Sequence, residues 1–98
     1  MLSAKDIAGE VRAVLQRTGS PLSAEQILHG IPSAELLKAQ GGKGTRGYFS
    51  AVGLVRDALE KHLRAEVSFI ELDVESVLSS VMAATSRRTR RLVAVYRL

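Results

Sequence analysis

Between residues 45 and 64 one side of the chain repeats at helical spacing: Tyr48, Ala51, Val52, Val55, Ala58, Leu59 and His62, with Leu63 at the edge. At 100° per residue these positions share one face of an amphipathic helix, and that face must be buried against something. The opposite face carries Arg46, Ser50, Gly53, Asp57, Glu60, Lys61 and Arg64. Gly41, Gly42 and Gly44 precede it, so the helix is expected to begin at Thr45 or Arg46 and the rest of the chain to supply its packing partner. His62, on the apolar side, is expected to be a core histidine with one ring nitrogen satisfied.

The preceding residues read as shorter helices. Ala4, Ile7, Ala8, Val11, Val14 and Leu15 mark a helix over residues 4–17, opened by a Ser3/Asp6 capping box and stopped by Gly19 and Pro21. Ser23 and Gln26 form a second capping box, with Leu22 and Ile27 spaced as a hydrophobic staple, for a helix ending at Gly30. After Pro32, Ser33 is expected to cap a further turn or two through Leu36, Leu37 and Ala39.

Residues 67–72 and 92–98 carry the β-branched and aromatic content of strands. Between them Asp73 is read as the cap of another helix over 74–85, with Val74, Val77, Leu78, Val81 and Met82 on one face and Ser76, Ser79, Ser80 and Ala83 on the other. Residues 85–89 are then a basic connection. Helices followed by a small antiparallel sheet, with an extra helix between its two strands, make an α+β fold. At 98 residues, 46% of them hydrophobic, the chain can form one core, and a single domain over 1–98 is expected.

Charge is unevenly distributed. Residues 1–65 hold nine Lys/Arg against six Asp/Glu; 66–75 hold Glu66, Glu71, Asp73 and Glu75 and no base; 86–98 hold Arg87, Arg88, Arg90, Arg91 and Arg97 and no acid. Such a basic segment suits a phosphate backbone, although the acidic stretch can serve as its partner across the strands. There is no cysteine, so disulfides and thiolate metal sites are excluded, and neither a metal nor another cofactor is expected. Asp6 and Glu10 interrupt the N-terminal apolar pattern, which argues against a signal peptide, and no apolar run reaches the roughly 20 residues of a membrane span. A cytoplasmic protein is the expectation.

The order helix, Gly19-Ser20-Pro21-Leu22-Ser23 turn, short helix, longer helix and two strands resembles the winged helix-turn-helix superfamily. The Gly42-Lys43-Gly44-Thr45 entry and the terminal Tyr96-Arg97-Leu98 look loosely like its HARE-HTH branch. Two features depart from that pattern: the extra turn at 33–40 and the long stretch between the strands. The resemblance implies that the 48–63 helix is a recognition helix whose first two turns meet the major groove, and that the protein serves transcription regulation.

Within that reading Thr45, Arg46, Ser50 and Gly53 are the exposed residues at the start of the helix. Arg46 can take guanine or phosphate, and Ser50 either. Lys43 and the Arg87, Arg88, Arg90 and Arg91 cluster are assigned to phosphates. Gly41-Gly42-Lys43-Gly44-Thr45 fails as a nucleotide-binding loop because Gly44 separates Lys43 from the hydroxyl. No residue pattern argues for catalysis, and the expectation is a protein that is not an enzyme. With only four aromatic residues a single-strand stacking platform is disfavoured and double-stranded DNA preferred. The small-residue face of the 74–85 helix is the expected docking surface for a second copy, giving a dimeric regulator. The alternative is a protein-interaction module that docks through the acidic strand or that same helix face.

Overall fold

The computed structural model describes the backbone of residues 1–77 and 86–98, and the side chains of 1–71 and 92–98. Four helices come first: α1 (Ala4–Thr18), α2 (Ala24–Gly30), α3 (Ala34–Gln40) and α4 (Thr45–Asp57), the last continuing into a π-helical turn, Ala58–His62. Two antiparallel strands follow, β1 (Glu66–Val77) and β2 (Ser86–Arg97). The fold is α+β. Among the described residues no helix is long and apolar enough to cross a membrane.

Both expected capping boxes form. Ser3 N–H donates to Asp6 Oδ2 at 2.7 Å while Asp6 N–H donates to Ser3 Oγ at 3.4 Å. Ser23 N–H donates to Gln26 Oε1 at 2.9 Å and Gln26 N–H returns to Ser23 Oγ at 3.2 Å. The hydrogen bonds from Ser3 hold the Asp6 carboxyl below its ordinary pKa. Ser33 does not cap α3. Its backbone, at φ −82° and ψ 6°, is not in the extended N-cap conformation, and its hydroxyl and N–H donate to the Glu10 carboxylate at 2.7–3.1 Å, charge-assisted bonds that tie the start of α3 to α1.

The apolar faces converge on one cluster in which Ile7, Val11, Ile27, Leu28, Leu37, Val55 and Leu59 are fully buried. Each such side chain contributes about 1.5–3 kcal/mol by leaving water. Where α3 crosses α4, Gly47 lets the backbones touch, since a Cβ there would run into the Lys38 and Gly42 carbonyl oxygens. Helical phasing fails at one place. In the π turn Leu63 N–H reaches back five residues to the Ala58 carbonyl at 2.9 Å, and the wider turn shifts the phase by about one residue. His62 is therefore exposed instead of joining the core.

Arg64, at φ 49°, reverses the chain into β1. The strands pair in one register from Glu66 opposite Arg97 to Val77 opposite Ser86, well beyond the expected limits of 67–72 and 92–98. Asp73 is thus a strand residue opposite Arg90 and caps no helix. Residues 74–77 and 86–89, expected as helix and connection, are strand as well; β-branched Val74 and Val77 favour the extended backbone. The rest of the expected helix, 78–85, with Ser79, Ser80 and Ala83 of the expected dimer face, lies outside the described residues; Ser76 of that face is in β1.

The hairpin joins the helices at its base. Leu22, in the α1–α2 turn, makes an antiparallel bridge to Tyr96, with N–H to carbonyl distances of 3.0 and 2.7 Å. Tyr96 is buried in the core, and its hydroxyl donates to Glu60 at 3.3 Å. Val67, opposite Tyr96, is exposed, as are Phe69, Ile70 and Leu92 further along the ribbon. A 12-residue strand runs about 40 Å, so most of the ribbon stands clear of the helices.

Candidate nucleic-acid interface

Lys43, Thr45 and Arg46 lie together, all exposed, where the α3–α4 loop enters α4. Gly42 (φ 116°) and Gly44 (φ 65°) take conformations that side-chain-bearing residues avoid, and this brings the loop around so tightly that the Arg46 stem lies over Gly42. Gly44 is the N-cap and offers no side chain, and the first turn of α4 has no acidic residue. The other three helices carry Asp6, Glu25 and Glu35 there. The positive end of the α4 dipole is left to two cations and solvent, an arrangement that favours an incoming anion.

Ser50, one turn further on, is exposed but packs on the α3 side, where a Cβ on Gly41 would come within 2.5 Å of its own Cβ. It borders a groove shared with Leu2, Gln40 and Leu54. The groove's far wall is fixed by Gln40, whose side chain bonds both the N–H and the carbonyl of Leu2 at 2.9 and 2.6 Å.

Arg87, Arg88, Arg90 and Arg91 all belong to β2, opposite Ser76, Glu75, Asp73 and Leu72 respectively. The acidic and basic segments that stand apart in the sequence are therefore aligned across the hairpin. At the base the same alignment gives Arg97 to Glu66 Oε2, at 2.9 Å from both Nε and Nη2. The four arginines begin five residues from buried Tyr96, along a strand rising about 3.3 Å per residue.

Sequence reasoning missed two residues of α4. Phe49 falls outside the apolar phase and is 68% exposed, edge-on to Tyr48 with ring centroids 5.7 Å apart. Arg56 is exposed on the same helix and sits at the foot of the hairpin, beside the Tyr96 hydroxyl. Burial, then the Glu60 carboxylate, raise the Tyr96 pKa above its ordinary 10.0, and Arg56 offsets part of this. The signal for both was a residue type at odds with its neighbours: a large aromatic off the apolar stripe, and a second cation on the helix after Arg46. Between the base of the hairpin and α4 lies a cleft of about 530 Å³ whose lining includes Tyr48, Arg56, Phe69, Leu92 and Tyr96.

Comparison with known proteins returns no match to a family model, a curated protein or a solved structure.

Proposed function

We propose that the chain is a small cytoplasmic DNA-binding protein of the winged-helix kind, contacting duplex DNA through the start of α4 and the arginines of β2. The observation that carries this reading is the exposed Lys43-Gly44-Thr45-Arg46 entry to a helix with no acidic first turn, in a chain whose only hairpin among the described residues holds four further arginines. Phosphates neutralised by these cations release counterions, so affinity falls steeply with salt. The Leu22–Tyr96 bridge supports the winged-helix likeness, since it adds a third, minimal strand from the α1–α2 turn to the sheet. In that arrangement α4 is the recognition helix, Arg46 and Ser50 read bases, and Lys43 with Arg87, Arg88, Arg90 and Arg91 hold the backbone.

The test is fluorescence anisotropy with a labelled duplex at about 50 mM salt, a condition under which non-specific binding is strong. Folded protein that raises the anisotropy of no duplex there contradicts the proposal. A second reading, a protein-interaction module on the same scaffold, is favoured by the exposure of Val67, Phe69, Ile70 and Leu92 on the hairpin. It predicts a co-purifying partner whose binding survives neutralising the four arginines.

A further inference from the structure

The chain has four aromatic residues, and the fold brings all of them to one place. Tyr48 and Phe69 line the cleft between α4 and the hairpin, with buried Tyr96 beside them. Phe49 stands edge-on to Tyr48, and the His29 ring centroid lies 6.1 Å from that of Tyr48. Phe49 and Phe69 are about two-thirds exposed, although large aromatic rings gain most from burial. Arg56 and Glu25 also line the cleft, offering a donor fork and a carboxylate acceptor next to the rings. Arg46, at the start of α4 nearly three turns from Arg56, and Lys43, in the loop before it, are both exposed.

Exposed rings, edge-binding polar groups and nearby cations are the three components by which proteins hold unpaired nucleotides: stacking on the base face, hydrogen bonds to the base edge, and charge along the backbone. A flat duplex surface would leave the rings unused, because paired bases present no open face. We infer that the α4–hairpin cleft binds an unpaired base, so that the preferred nucleic acid is a duplex bordered by a single-stranded segment. This rests on the nucleic-acid reading above and deepens it by naming the substrate class. The low aromatic count argued the other way, but a platform depends on where the rings lie: Tyr96 is taken up by the core, while Phe49 and Phe69 stay exposed beside Tyr48 and the cleft.

The experiment compares three labelled probes of matched sequence: a blunt duplex, the same duplex with a single-stranded overhang, and the single strand. These are titrated with the wild-type chain, Phe69→Ala, Phe49→Ala and a control, Leu36→Ala, at an exposed apolar site on α3. The overhang probe should bind more tightly than the blunt duplex. Phe69→Ala should weaken overhang binding about 5- to 150-fold and leave blunt-duplex binding unchanged, whereas Leu36→Ala should bind every probe as the wild type does. Blunt and overhang probes bound equally, or both weakened alike by Phe69→Ala, would overturn the inference while leaving duplex binding intact. No binding to any probe would remove both. Sedimentation showing a wild-type dimer that Phe69→Ala dissociates would also overturn it, because the rings would then be an interface with a second copy.

Discussion

The helical body and the hairpin are built on opposite principles. In the body the long-range hydrogen bonds close on themselves: Ser33 on Glu10, Gln40 on Leu2, and fully buried Ile7, Ile27, Leu28, Leu37 and Leu59 at the centre. In the hairpin only the base is covered, and Phe69 and Leu92 face solvent. An isolated two-stranded ribbon is marginal in water, so its order depends on the Tyr96 anchor and on cross-strand pairs such as Glu66 with Arg97. The body stores the stability of the fold, and the hairpin presents surface.

Substitution should separate the two regions most sharply at their largest side chains. Leu28→Ala in the body is expected to cost about 2–5 kcal/mol, whereas Phe69→Ala in the hairpin should stay within about 0.5 kcal/mol. Urea midpoints measured side by side check this, and equal losses would mean that the hairpin is part of the core. Gly47→Ala comes next: with two carbonyl oxygens in the way, the α3–α4 junction must open, at about 1–3 kcal/mol. An unchanged midpoint would show that the crossing is looser than its geometry.

The smallest effect lies where the two regions meet. Because the folded pKa of Tyr96 is raised, the neutral phenol is the form that the fold favours. Its contribution is complete below pH 10.0, the ordinary tyrosine value, and is lost as pH rises through the higher folded value. Near-ultraviolet titration should show one of the two tyrosines ionising late. Tyr96→Phe should abolish that late step and flatten the alkaline loss of stability.

What could be read without coordinates was the local chemistry. The capping boxes at Ser3 and Ser23 and the apolar stripes of α1 and α4 follow from spacings of three and four residues, and each set of groups finds its partners within a turn. Ser33 departs from the expectation because its backbone is not extended as an N-cap requires and its hydroxyl is turned towards Glu10, 23 residues away. His62 was misread because a π turn alters the helical phase, and no pattern of polar and apolar residues announces one. The extra length of the strands was hidden for a different reason: 73–77 mixes acidic residues with valine in a pattern that fits a helical stripe as well as a strand. Of the candidate residues, Lys43, Thr45 and Arg46 are neighbours by sequence and stay so. The value of Phe49, Arg56 and Phe69 emerges only when the hairpin folds back beside α4.

The central claim, that the body serves to hold the start of α4 and a basic ribbon against a phosphate backbone, is tested most directly by the salt dependence of duplex affinity. Wild-type protein and the Arg87/Arg88/Arg90/Arg91→Ala variant would be titrated with one labelled duplex between about 50 and 200 mM salt, where log affinity falls by about 0.9 per neutralised phosphate for each decade of salt. The account predicts a steep slope for the wild type and a shallower one for the variant, with the residual binding lost on adding Lys43→Ala and Arg46→Ala. Identical slopes for folded wild type and variant would contradict it.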